Sequence, residues 1–270
     1  MRRIVLMGLL CVSVAALAQD AKPVSFEVTL IKPAKPEETG RGWDSDRNST
    51  SIENYPLQDL IMRAYDLKSS TQVVDAPEWA DRDRYDIVAK SSEQEFERLG
   101  KLKPEESGEE YRAMLQSMLA ERFGLLVEKS TRRMPRFTME RVSNAAMGPV
   151  LKPTPTGPDG RPVGGRNTSS HGNSTLVTMD VSGASMEDIA KILSGRTEVG
   201  QRVVVDKTGV PGFFSFKIEF APDSGMGISP NATLPGLLEV VRQQLGLKLA
   251  KDEGDVPVVI VKAATKPELD

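Results

Sequence analysis

Nucleophilic and metal chemistry have few residues to draw on in this chain, which holds one histidine, His171, and one cysteine, Cys11. A zinc site takes roughly three or four nitrogen, sulfur or carboxylate ligands, and neither the HExxH nor the CxxC spacing occurs. A catalytic imidazole needs an orienting partner and a sheltered site. His171 stands instead in the polar run Ser169-Ser170-His171-Gly172-Asn173-Ser174 and reads as an ordinary loop residue. No Gly-x-Ser-x-Gly elbow, P-loop or Gly-rich dinucleotide fingerprint is present. The carboxylates remain. Asp44-Ser45-Asp46-Arg47-Asn48 opens like a calcium loop, but Ser49 replaces the required glycine and Tyr55 the closing glutamate, so a solvated loop is expected. Asp81, Asp83 and Asp86 alternate with Arg82 and Arg84 and read as a charged turn and strand edge. Asp75 and Asp206 close two short valine-rich strands and are expected to accept backbone N–H groups in the turns that follow. Trp43 and Trp79 lie in loop segments and are expected to cover the end of a sheet. Asn48, Asn167, Asn173 and Asn231 head N-x-S/T sequons, which matter only in a glycosylating host, and read as polar loop residues. No residue is assigned a catalytic, cofactor-binding or metal-binding role.

The elements that would position such residues are legible from periodicity. Tyr111, Met114, Leu115, Met118, Leu119 and Phe123 share one helical face, and Gly124 is a natural C-cap. A helix starting near Asn54 and Pro56 carries Leu57, Leu60, Ile61 and Ala64. Ser185 and Asp188 open another with Met186, Ile189, Ala190 and Leu193, and a last helix runs from Leu234 to Leu245 before Gly246. Strands are expected over Phe26–Ile31, at Gln72–Asp75, around Tyr85, Ile87 and Ala89, at Val177–Val181 and at Val203–Val205. After the Gly209, Pro211, Gly212 turn, Phe214, Phe216, Ile218 and Phe220 alternate with Ser215, Lys217 and Glu219. Further short strands flank Pro135 and Pro257. Residues 33–53 and 91–108 read as a loop and as a loop or frayed helix.

The order of elements recurs. Leu57, Asp59 and Leu60 match Met186, Asp188 and Ile189; Val74-Asp75 matches Val205-Asp206; Tyr85-Asp86-Ile87 matches Phe216-Lys217-Ile218. Phe123-Gly124-Leu125, Pro135 and Phe137 match Leu245-Gly246-Leu247, Pro257 and Val259 at one constant spacing, which points to an internal duplication. The expected fold is α+β: two tandem duplicated β-α-β-β-α-β-type units, with small sheets covered by amphipathic helices. The units span 19–142 and 176–270, and a Gly/Pro/Ser-rich linker spans 143–175. Residues 1–18 have the anatomy of a signal peptide: Arg2 and Arg3, an apolar run, then Ala16-Leu17-Ala18 before the cleavage point. The apolar run falls short of the roughly 20 residues a spanning helix needs. Cleavage would remove Cys11 together with two of the 35 basic residues and leave all 38 acidic ones, so nucleic acid is not an expected partner.

Two resemblances extend this reading. The stretch Val203–Phe220 followed by Leu237–Val261 resembles the short N-terminal module of secretins and TonB-dependent transducing receptors, which implies protein contact in the cell envelope. FEVTLIKP, DRYDIVAKS, MLQSMLAERFGL, VVVDKTGVPGFFSFKIEF and the QLGLKL and VPVVIV stretches are similar to an uncharacterised family of secreted proteins abundant in soil acidobacteria. Related domains behind BlaR-like sensor peptidases would lie outside the membrane. That family implies a compartment and offers no catalytic residues. The expected function is a secreted or periplasmic, non-enzymatic binding or interaction module with an envelope protein as partner, no cofactor and no membrane span in the mature chain. The alternatives are a hydrolase using carboxylates in a cleft between units, or a small-ligand sensor domain.

Overall fold

The leucine and isoleucine stripe at Leu57, Leu60, Ile61 and Ala64 is fully buried and fixes α1 (Leu57–Ala64) as the first helix laid on a sheet. A computed structural model describes residues 24–270 apart from 36, 38–39, 144–146 and 224–231. The leader expected at 1–18, with Cys11, and the sequon at Asn231 lie outside the described residues. Before α1 come β1 (Val28–Pro33) and the hairpin of β2 (Gly42–Asp46) and β3 (Ser49–Pro56). After it follow β4 (Val73–Val74), α2 (Trp79–Arg82), β5 (Arg84–Lys90), α3 (Glu93–Gly100), α4 (Pro104–Phe123) and the 16-residue β6 (Leu126–Arg141). The second half runs β7 (Lys152–Thr154), β8 (Asn167–Gly172), β9 (Val177–Ala184), α5 (Met186–Ser194), β10 (Val204–Asp206) and β11 (Phe213–Phe220). It closes with α6 (Leu237–Val240), wound on as a π turn to Leu245, and the 17-residue β12 (Leu247–Ala263). Gly124 and Gly246 end α4 and the π turn in the left-handed conformation that glycine adopts without a Cβ penalty.

The fold is mixed α and β, and its described strands form three sheets of four. The outer sheets, β1-β5-β3-β2 and β7-β11-β9-β8, have the same order and are antiparallel throughout. Each carries one bulge. Ile52 faces Ile87 and Tyr55 faces Tyr85 in the first; Val181 faces Phe216 and Ala184 faces Phe214 in the second. At the bulges Tyr85 holds the place in the first sheet that Phe214 holds in the second, two residues earlier than the Phe216 match read from the sequence. A shift of two keeps every side chain on its face, so the alternating pattern could not register it.

The central sheet, β10-β6-β12-β4, joins the halves. β6 and β12 pair antiparallel along their full lengths, and each half's short strand lies parallel to the other half's long one. Val204 faces Phe137, and Val73 faces Val259. The cores follow this crossing. Phe137 and Met139 of β6 are buried among β9, β11 and α5. Val259 and Val261 of β12 are buried with α1, α4 and β5. The halves are therefore not side-by-side bodies, because each core includes strand residues from the other half.

Three expectations differ from the structure. Pro135 and Pro257 do not divide strands, since β6 and β12 run through them. The N–H of Phe137 donates to the Val203 carbonyl, so the position two residues earlier would aim its N–H toward the same flank, past the end of β10, where a proline removes no ladder bond. The Pro257 carbonyl accepts from Gln72 Nε2 at 2.8 Å, which puts its ring nitrogen toward the short β4 flank in the same way. Residues 33–53 contain the β2–β3 hairpin, turned at Arg47 with φ 46°. The linker segment 143–175 supplies β7 and β8. Its Gly148 packs so closely on the end of the π turn that a Cβ would strike the Gln244 carbonyl. β2, β7 and β8 are short, edge-lying and mostly polar, so backbone pairing holds them and no apolar alternation announces them.

Candidate functional site

Two helical stripes face one another across a cleft. Asp59, Met62 and Arg63 lie on α1 opposite its buried stripe, with Asp66 just past its end; Gly108, Tyr111, Arg112 and Leu115 recur at i, i+3, i+4 and i+7 on α4. Lys191 of α5 closes the third side. The cleft has a volume of about 550 Å³, within the usual range for small-ligand sites. Met62, Leu67 and Leu115 and the rings of Tyr55 and Tyr111 give it an apolar floor.

The charges on the rim are arranged in two ways. Asp59 is paired with Arg41, and Asp66 with Lys191, a bond that ties α5 to the end of α1. The guanidinium carbon of Arg63 lies 3.9 Å from the Trp43 ring centroid, and Trp43 meets Tyr55 edge-on at 5.4 Å. Tyr111 donates to Thr50 Oγ1 at 3.2 Å. Burial raises its phenol above the ordinary tyrosine range, against the opposing pull of that hydrogen bond and of the Arg63 charge. Arg112 is half-buried and also lines an adjoining cavity of about 580 Å³ between α4 and residues 159–166.

A glycosidase-type hydrolysis sets two carboxyl groups across a bond. Here Asp59 and Asp66 stand along one wall, each neutralised by a cation. Among the described residues no cluster of three or more histidine, cysteine, aspartate or glutamate side chains could hold a metal ion.

The residues singled out by sequence are scattered. His171 is exposed on the edge strand β8, and Asp44 and Asp46 are exposed on β2. Asp206 accepts the Thr208 N–H at 2.8 Å, as expected for a turn. Asp75 instead takes a left-handed conformation, φ 58°, and pairs with Arg132 at 3.5 Å. Asp83 pairs with Lys266, and Asp86 accepts the Asn54 N–H at the bulge of the first outer sheet. Trp43 and Trp79 both pack against the first core. The cleft residues went unnoticed, although the polar i, i+3, i+4 spacing of Asp59, Met62 and Arg63 and the Tyr111-Arg112 pair were open to view. A polar helical face is ordinarily just the solvated side.

The model of a protein family of unknown function, DUF3738, matches residues 58–264. The chain belongs to the DUF3738 family. The DUF3738 span begins inside α1 and reaches the end of β12, so it contains Asp59, Arg63, Asp66, Tyr111, Arg112 and Lys191, while Arg41, Trp43 and Tyr55 precede it. No curated protein and no solved structure matches the chain.

Proposed function

We propose that the mature chain, released by cleavage after Ala18, is a non-enzymatic binding module of the cell envelope, built from a duplicated unit, that docks an extended segment of an envelope protein along β8. The observation carrying this reading is the condition of that edge. All six β8 residues are exposed. Asn173 N–H bonds the Leu176 carbonyl at 2.8 Å, closing the β8–β9 hairpin. Antiparallel pairing then alternates, so His171, Ser169 and Asn167 bond inward to β9, and Thr168, Ser170 and Gly172 turn their backbone groups outward. Among the described residues no backbone bond reaches those three from outside the hairpin. Such a row is a template for an added strand.

Two of the other outer-sheet edges, β1 and β7, are less open. At β1, Ile31 donates to Asp270 Oδ2 at 2.9 Å and accepts from the Asp270 N–H at 3.0 Å, so Asp270 occupies the edge. β7 has Pro153 at its centre. The matching strand order of the two outer sheets and the equivalent central registers support the duplication. The single-wall placement of Asp59 and Asp66 favours binding over the hydrolase alternative.

Thr168→Pro tests the docking. It removes an outward N–H and leaves the β9 ladder bonds in place. Immobilised residues 19–270 should capture a defined envelope protein, and the variant should lose it without a change in melting temperature. Undiminished capture by a folded variant would sink the strand-addition reading.

A further inference from the structure

The cleft between α1, α4 and α5 holds more positive charge than its own carboxylates answer. Asp59 and Asp66 are committed to Arg41 and Lys191. Among the described residues no carboxylate pairs with Arg63 or Arg112. Arg63 is held in place by its contact with Trp43, and half-buried Arg112 stands beside Tyr111 on the opposite wall. Both walls slope to the apolar floor of Met62, Leu67 and Leu115.

We propose that this cleft binds a small organic anion, a carboxylate or phosphate head joined to an apolar body. Arg112 takes the head, because a guanidinium offers two parallel N–H donors to planar or tetrahedral oxyanions. Arg63 adds the second charge. Leu67, Leu115 and Tyr55 cover the body, which a bare inorganic anion would leave wet and a neutral compound would place beside two unanswered cations. The adjoining cavity is less suited to the head. Its Arg161 and Arg166 are already paired with Asp159 and Asp188, and Glu105 and Glu109 outnumber the remaining Lys103 there. The site is separate from β8, so its failure leaves strand docking untouched, and the reverse holds as well.

The test is calorimetric titration of residues 19–270 with benzoate, phenyl phosphate, benzamide and inorganic phosphate. Benzoate or phenyl phosphate should saturate a single site, and the tighter of the two identifies the head. Benzamide and inorganic phosphate should each bind about ten-fold or more weakly, and Arg112→Gln should cost a similar factor, as expected for losing a charge-assisted hydrogen bond. Should Arg112→Gln disturb folding, Arg63→Gln and a salt series supply the answer, because affinity for an anion in a partly open cleft must fall as salt rises. Absent saturation by both aromatic anions, equal binding of benzamide, or an affinity indifferent to salt and to the Gln variants would each overturn the proposal.

Discussion

Single residues show where this protein spends its few buried polar groups. Ser194 is fully buried at the end of α5; its hydroxyl donates to the Ala190 carbonyl at 2.8 Å and accepts the Val204 N–H at 2.8 Å. One hydroxyl thus joins a helix terminus to the short strand β10. Ser194→Ala strands the Val204 N–H away from water and should cost about 1–3 kcal/mol, read by urea denaturation. Met139→Ala should cost more, about 2–5 kcal/mol, because it opens a cavity in the second core. The first loss is invisible in a sequence, where Ser194 is one more polar residue near a helix end. The capping box at Ser185 and Asp188 was legible, and both of its bonds are present, because the partners there are neighbours in the chain.

Elements were readable when their signal was local. The buried stripes of α1, α4 and α5 and the β11 alternation lie where periodicity puts them. The β2–β3 hairpin and β7 and β8 lacked that signal, and the unbroken course of β6 and β12 depends on which flank is open at each proline. The long pair also carries its charges in register. Arg136 faces Asp252 at 2.8 Å and Lys248 faces Glu140 at 3.1 Å, while Lys262 reaches Glu128 at 2.8 Å. In each case the hydrogen bond from the cation, ahead of its charge, holds the carboxyl below its ordinary range. Depressed folded values mean support that is present above the unfolded carboxylate range and lost as pH falls through the folded values. Protection of the β6 and β12 amides, relative to unfolded amides at the same pH, should therefore hold down to the ordinary carboxylate range and fall only below it. Asp270 follows the same sign, held down first by Arg122 and then by the Ile31 N–H. Asp270→Asn should speed exchange at the Ile31 amide at neutral pH.

At the scale of the molecule, the crossing of the halves decides what can exist alone. Residues 19–142 would lack Val259 and Val261 from their core, and residues 143–270 would lack Phe137 and Met139. Neither fragment should show dispersed amide resonances by itself, and mixing the two should restore them. A fragment that folds cooperatively alone would contradict the shared cores. A repeat was read from the sequence and this exchange was not, since pairing between distant strands leaves no local trace.

The same crossing sets a clock. Synthesis delivers β12 long after β4, and until it arrives β4 has no neighbour and the first core lacks one wall. Gln72 meets the Pro257 carbonyl across 185 residues of chain. Contacts of such sequence separation slow folding. The first core must therefore wait, unfinished, for a strand of the other half, and during that wait the chain stays open to a chaperone.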